Sequence, residues 1–374
     1  MDVNKIAVIG CGLMGSGIAY VSAWHGFDVV MVDIKQEFVD RGLERIRNDV
    51  MTGIDKGKLS MSEAEGLMGH IQGTTNLEEA VKSVDLVIEA IFEKMEVKKE
   101  TFAKIDKAAP PNVFFASNTS SLSIDEIASA TERPEKFIGM HYFSPVPAMK
   151  LLELVIGEKT SDETISMAEA VGKKQGKITV KAKNSPGFIV NRLLMPVMHE
   201  ALLLYENGVA TKEEIDTAMV SVGKAPAGPF ALGDFVGLDI AYHTMSTMYS
   251  ELGDCFKIPD VLKDLIDAGH IGMKSKKGFY DYSGAAGEPE PPKGADPNEL
   301  VEQINIMGIR EACILVDNGI ATESDIDNAM KLGASWPAGP FEMLKSFGKD
   351  KVRSTLEKLE SEKGECYSVP KYLK

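Results

Sequence analysis

Residues 5–33 read KIAVIGCGLMGSGIAYVSAWHGFDVVMVD. A short β-branched strand, Lys5–Ile9, runs into Gly10-Cys11-Gly12-Leu13-Met14-Gly15. An apolar helix follows with Ile18, Ala19 and Val21 on its buried side, and Gly26 ends it. A second strand, Asp28–Val32, closes on Asp33. Strand, G-x-G-x-x-G, helix, strand and then an acidic residue form the dinucleotide-binding fingerprint in its required context. Gly10 permits the tight turn, Gly12 lets backbone amides approach a pyrophosphate, and Gly15 lets the helix pack closely on the sheet. The helix start at Leu13 and Met14 supplies amides and positive potential for phosphates. The Asp33 carboxylate would accept hydrogen bonds from an adenosine ribose and repel a 2′-phosphate, which favours NAD over NADP; Lys35 nearby tempers that repulsion.

At 374 residues the chain is too long for one ordinary domain, so two or three are expected. A composition of 44% hydrophobic and 26% charged residues is that of a globular protein. The net charge of −15 argues against nucleic-acid and acidic-membrane partners. Cys11, Cys255, Cys313 and Cys366 show no CxxC spacing and fit a reducing compartment. An apolar strand by Ile6 leaves no room for a signal peptide, and no apolar run is long enough for a membrane helix. A cytoplasmic location is expected.

Beyond Asp33, Gln36–Lys58 reads as a charged amphipathic helix with a basic end at Lys56 and Lys58, either a solvated end or a landing site for phosphates. Strands follow at Ile71–Thr74, Leu86–Glu89 and Val113–Ser117. Glu93 and Lys98 fall just after the Leu86–Glu89 strand, where loops line the ligand crevice of a parallel sheet. In Ser117-Asn118-Thr119-Ser120-Ser121-Leu122-Ser123, Ser123 with Glu126 forms a capping box. Asn118, Thr119 and Ser120 remain at the carboxyl end of a strand.

Residues 137–155, FIGMHYFSPVPAMKLLELV, place two apolar runs around a proline-rich turn. Folded back about Pro147, His141 and Glu153 face each other across a ladder, where opposed Cβ atoms are about 5 Å apart. A carboxylate there fixes the imidazole tautomer and favours its protonated form, as a general base requires; a purely structural pair fits the same residues.

A helix over Asp162–Lys174 and a strand over Lys177–Val180 complete a first domain, residues 1–183. Asn184-Ser185-Pro186-Gly187-Phe188 opens an all-helical region, with Asn184 or Ser185 as cap. Phe188, Asn191 and Met195 then share a helix face, which makes Asn191 a lone amide among apolar neighbours. EALLLYENGVATKEEIDTAM from Glu200 aligns without gaps to EACILVDNGIATESDIDNAM from Glu311, and about half of these positions are identical. The chain thus divides into residues 1–183, a first helical copy over 184–282, a Gly/Ala/Pro-rich linker over 283–298 and a second copy over 299–374. The position aligned with Asn191 is Glu302, so only the first copy can contribute to a site. The expected architecture is an α/β Rossmann-type dinucleotide-binding domain followed by two tandem all-α domains. Such a linker is long enough for one copy to dock on the other, which favours a monomer with an internal pseudo-dimer over a homodimer.

GCGLMGSGIA, VDIKQEFVDRG, SNTSSLSI, HYFSPVPAMKLLE, NSPGFIVNR and KSKKGFYDY together resemble the L-3-hydroxyacyl-CoA dehydrogenases, closest to bacterial 3-hydroxybutyryl-CoA dehydrogenases over residues 1 to 282. The second copy resembles the duplicated C-terminal part of multifunctional fatty-acid oxidation proteins. The resemblance implies NAD-linked oxidation of (S)-3-hydroxyacyl-CoA to 3-ketoacyl-CoA, with no metal. It implies His141 as general base held by Glu153, and Ser120 and Asn191 on the substrate around C3. It places Asn118 by the nicotinamide, Glu93 and Lys98 near the cofactor ribose, and Gly10, Gly12, Leu13, Met14, Gly15 and Asp33 in the cofactor motif. Ser144 stands where single-function relatives have Asn. Thr52 stands where small bacterial relatives tend to have lysine, which leaves coenzyme A to Lys56.

Overall fold

The computed structural model describes residues 3–284 and 291–374. Its contacts divide the chain into Met1–Ser185 and Pro186–Lys374. The first unit carries β1 (Lys5–Ile9), α1 (Leu13–Trp24), β2 (Asp28–Val32), α2 (Gln36–Asp55), α3 (Met61–Gly69), β3 (Ile71–Thr74), α4 (Leu77–Val81), β4 (Leu86–Glu89), α5 (Met95–Ala108), β5 (Phe114–Ser117), α6 (Ile124–Ala128), β6 (Phe137–Tyr142), β7 (Leu151–Ile156), α7 (Asp162–Lys174) and β8 (Ile178–Lys183). The strands form one sheet in the order β3-β2-β1-β4-β5-β6-β7-β8. All neighbours are parallel except β6 and β7. Order 3-2-1-4-5-6 is that of a Rossmann sheet, and the strand order reverses between β1 and β4.

The central strands carry the sequence signature of their position. VVMV in β2, LVI in β4 and FFA in β5 are continuous apolar runs because helices cover both faces of a parallel sheet. β8 runs on to Lys183, past the Val180 end expected from sequence, because it pairs with β7 along six residues. A fixed turn between β6 and β7 brings in Lys177, whose buried ammonium donates to the Val146 and Met149 carbonyls at 2.5 and 2.6 Å.

Two local expectations are corrected. Ser123 caps α6 by accepting from the Glu126 amide, yet the reciprocal Glu126 side-chain bond of a full box is not among the bonds of the described residues, and Asn184 adds a second cap. Asn184 Oδ1 accepts the Ile124 amide, and Asn184 Nδ2 donates to Ser123 Oγ and to Asp125. Asn184 therefore caps α6 rather than the helix that follows it in sequence. The Asn184–Phe188 segment is a turn, with φ of 75° at Gly187 and 52° at Phe188. The next helix starts at Val190, so Phe188 stands outside the helical face it was expected to share with Asn191.

The second unit holds α8 (Val190–Glu206), α9 (Lys212–Ser221), α10 (Pro229–Val236), α11 (Leu238–Leu252) and α12 (Asp260–Asp267), then α13 (Pro297–Asp317), α14 (Glu323–Gly333), α15 (Pro340–Phe347) and α16 (Lys349–Lys363). Residues 285–290 of the expected linker lie outside the described residues, and α13 begins at Pro297, inside its expected end. α13 repeats α8, α14 repeats α9, and so on through α16 and α11. Counterparts are 111 positions apart throughout.

Both copies lie in this one unit, with α8 packed on α13. The contacts are reciprocal. Arg192 Nε of the first copy donates to Glu311 of the second at 2.5 Å, and Gln303, the counterpart of Arg192, donates to Glu200, the counterpart of Glu311, at 2.5 Å. His199 faces the Lys257 carbonyl at 2.8 Å as its counterpart Arg310 faces the Ser368 carbonyl at 2.8 Å. The helices approach where Val197 meets its own counterpart, Gly308, at which a Cβ would lie 3.0 Å from Val197 Cγ2. Such exchange of equivalent residues is the pattern of an isologous dimer, here within one chain. Cys255 and Cys366 are joined by a disulfide, where the sequence reading expects unpaired thiols. Periodicity cannot reveal that residues so far apart meet.

Candidate active site

The strand-order reversal leaves a cleft of about 580 Å³ at the carboxyl ends of β1 and β4. Gly10, Gly12, Leu13, Met14 and Asp33 line it from one side, Ile91 and Phe92 from the other. Gly10 has φ of 101°, and a Cβ there would lie 2.5 Å from the Ala90 carbonyl, so only glycine closes this turn without strain. Gly15 faces the Gly10 carbonyl rather than the cleft. Asp33 Oδ2 accepts the Cys11 amide at 2.7 Å and Oδ1 accepts the Ile34 amide at 2.7 Å. The carboxylate thus pins the glycine loop and stands at its rim. Burial, with Asp33 close by, pushes the Cys11 thiol up to about 12 and leaves it inert.

Among the lining residues that the sequence reading did not single out are Phe38, Arg41, Arg45 and Lys104. Arg41 and Arg45 are four apart on α2, a spacing that puts both on one face, and that was the available signal. Arg41 stacks on Phe38 at 4.8 Å, and Arg45 Nη1 reaches the Cys11 carbonyl at 3.4 Å. Three cations in a chain of net charge −15 suit a phosphate-bearing ligand.

A second cluster follows β4 and β5. Buried Glu89, which ends β4, accepts from Ser117 Oγ at 2.6 Å, from Lys98 Nζ at 2.7 Å and from the Ile91 amide at 2.7 Å. Lys98, fully buried on α5, also lies 3.2 Å from Glu93. Glu93 accepts from Thr119 Oγ1 at 2.6 Å, from the Ser120 amide at 2.8 Å and from Ser120 Oγ at 3.2 Å. Burial would raise the Glu93 carboxyl, but Lys98 and these donors outweigh it and hold the group below its ordinary range. The network joins Glu93, Lys98 and Ser120, three residues singled out from sequence. Glu89 was read only as a strand end, although a charge closing the run LVIE is itself a signal.

His141 and Glu153 are a directly opposed pair of the antiparallel β6–β7 ladder. His141 Nδ1 lies 2.6 Å from Glu153 Oε2, and both side chains are buried. The hydrogen bond to Nδ1 fixes the orientation of the ring and its tautomer. Phe143 packs on the ring at 4.4 Å between centroids. Asn118 Oδ1 accepts the amide of Tyr142, next to His141, at 2.8 Å, and its own amide donates to the Glu89 carbonyl at 2.8 Å. Asn118 therefore ties the Ser120 loop to the His141 strand. Lys56 is exposed at the end of α2, apart from the residues that line the cleft. Asn191 belongs to the second unit, in the first turn of α8.

Residues 5–185 match the NAD binding domain of 3-hydroxyacyl-CoA dehydrogenase. The C-terminal domain of the same family matches twice, over residues 187–282 and 300–374. The chain is 43% identical over 280 residues to 3-hydroxybutyryl-CoA dehydrogenase of Clostridioides difficile, covering 75% of this chain and 99% of that one. It is 35% identical over its whole length to the fatty acid oxidation complex subunit alpha of Idiomarina loihiensis, of which it covers 55%. The crystal structure of 3-hydroxybutyryl-CoA dehydrogenase from Escherichia coli K12 superposes on 100% of the chain and 98% of that protein, with a TM-score of 0.92 at 28% identity.

Proposed function

Because the chain belongs to the 3-hydroxyacyl-CoA dehydrogenase family, we propose that it oxidises (S)-3-hydroxyacyl-CoA, 3-hydroxybutyryl-CoA included, to the 3-ketoacyl-CoA, reversibly and in fatty acid metabolism. The observation that carries this reading is the buried His141–Glu153 pair.

NAD fits the glycine cleft. Backbone amides at Leu13 and Met14 and the close turn at Gly10 suit a pyrophosphate, and the Asp33 carboxylate suits ribose hydroxyls. When bound, NAD supplies the acceptor for the hydrogen that leaves C3 with its electron pair. His141 Nε2 takes the C3 hydroxyl proton, while Glu153 holds Nδ1 and stabilises the charge that forms on the ring. Ser120 and Asn191 orient the substrate at C3 and the thioester. Asn118 lies by the nicotinamide and keeps the Ser120 loop in register with His141. Glu93 and Lys98 serve the cofactor ribose, and Lys56 the coenzyme A phosphates.

The partner is thus an acyl-CoA. We assign the enzyme to the cytoplasm; no helix among the described residues is long and apolar enough to cross a membrane. A monomer is the proposed state, because the face that would pair two copies is covered by α8 against α13 within the chain. The test is NADH oxidation with acetoacetyl-CoA against free acetoacetate. Turnover of the thioester alone supports the reading. Equal turnover of the free acid would point to a hydroxy-acid dehydrogenase, and tight NADH binding without turnover to a sensor.

A further inference from the structure

Cys255 and Cys366 are counterparts in the two helical copies, 111 positions apart, and they are bonded to each other. Residues related by a twofold axis can be bonded to each other only on that axis. Two independent relations mark the same axis: Val197 packs on its counterpart Gly308, and the pairs Arg192–Glu311 and Gln303–Glu200 exchange across it. A dimer of single-copy chains with this cysteine would be cross-linked between subunits; duplication has made the link internal.

The two sulfurs differ from the other cysteines of the chain. Cys11 and Cys313 are buried, and burial pushes both thiols up to about 12. Cys255 and Cys366 are only partly covered and line a surface cleft of about 590 Å³ with Lys257, Arg310 and Lys363. A small thiolate can therefore reach the bond; the cations of the cleft are offset by Glu200, Glu206, Asp254, Asp260 and Glu311, with Arg310 beside Glu311 and Lys363 beside Glu200.

We propose that Cys255–Cys366 is a redox modification site that exchanges with small-molecule thiols and disulfides of the glutathione class, and that the closed bond fastens the two helical copies. A small thiolate attacks one sulfur, the S–S bond breaks, and its electron pair leaves on the other cysteine as a thiolate. A second small thiolate attacks the mixed disulfide and releases the first cysteine. The protein gains two electrons and two protons, and two small thiols lose them as they become one small disulfide. The reverse exchange closes the bond. In a reducing compartment a static structural disulfide would be unusual, whereas a reversible one is the expected kind. Closure ties residues 111 apart, which restricts the unfolded chain and so stabilises the folded unit.

The full-length protein is equilibrated in glutathione buffers from fully oxidising to fully reducing, acid-quenched, denatured, alkylated and weighed intact. The expected result is a single transition from two alkylated cysteines, Cys11 and Cys313, to four. The reduced form should melt about 10 °C below the oxidised form. Cys255→Ser and Cys366→Ser should each melt with the reduced wild type and ignore dithiothreitol. Four alkylated cysteines in every buffer, two in every buffer, or equal melting of the two forms would each overturn the proposal. If the serine variants do not fold, the wild-type comparison decides alone.

Discussion

His141 and Glu153 occupy one rung of the antiparallel β6–β7 ladder, with Nδ1 2.6 Å from Oε2 and both groups out of solvent. They are twelve positions apart in the chain, and the turn at Ser144–Ala148 is what makes them neighbours. A buried, hydrogen-bonded pair of this kind acts as a unit. Removing a positioned general base typically loses about 10²–10⁴ in rate. His141→Gln and Glu153→Gln should each lower kcat on acetoacetyl-CoA into that range, and the double variant should be little worse than His141→Gln. A near-normal rate and pH profile for Glu153→Gln would separate the pair.

Asp33 pins the Cys11 amide, and we propose that it also excludes a 2′-phosphate. A hydrogen bond to a charged group contributes about 1.5–3 kcal/mol. Asp33→Ala should therefore raise KM for NADH roughly 10- to 100-fold and narrow the preference over NADPH, with Arg41 and Arg45 already at the cleft to receive the extra phosphate. Initial rates with both cofactors check it; a wild type that prefers NADPH contradicts it.

Lys98 is the only cation contacting the buried Glu89 carboxylate among the described ion pairs. Breaking such a buried pair from one side costs about 3–5 kcal/mol, because the remaining charge is uncompensated. Lys98→Met should lose stability in that range by urea denaturation, and Glu89→Gln combined with Lys98→Met should recover part of it. A Lys98→Met protein as stable as wild type would show that the network is not held by charge.

Burial lowers the Lys177 ammonium from its ordinary value of 10.5 to about 8. Below pH 8 the folded chain carries this buried charge at full cost. Between pH 8 and 10.5 the folded lysine has released its proton while the unfolded one still holds it, so stability from this group rises with pH. Wild type should gain on Lys177→Met by about 1–3 kcal/mol from pH 7.5 to 10 in chemical denaturation. A constant difference between the two proteins would contradict the shift.

Truncation after Tyr282 removes α13 to α16 and exposes the α8 face that they cover. The fragment should dimerise or become insoluble, and the full-length chain should scatter light as a monomer. A full-length dimer whose truncated form stays a soluble monomer would refute internal pairing.

The sequence by itself determined the Rossmann unit, since every part of its signal is local. The glycine spacing, the continuous apolar strands and the acid at Asp33 are read directly, and even the His141–Glu153 rung follows from folding the chain about one proline-rich turn. The repeat was equally legible, because a constant offset needs no structure to be seen. The tertiary structure decided what depends on distant residues. Asn184 was read as a cap for the helix after it, and tertiary packing set it instead on α6, 60 positions earlier in the chain. Glu89 became a buried anchor only because α5 returns Lys98 to the end of β4. Cys255 found Cys366 only because two copies of one helical unit buried their matching faces against each other. Hydrophobic burial acts on surfaces already formed, so no pattern along the chain names the partner of a residue 111 positions away.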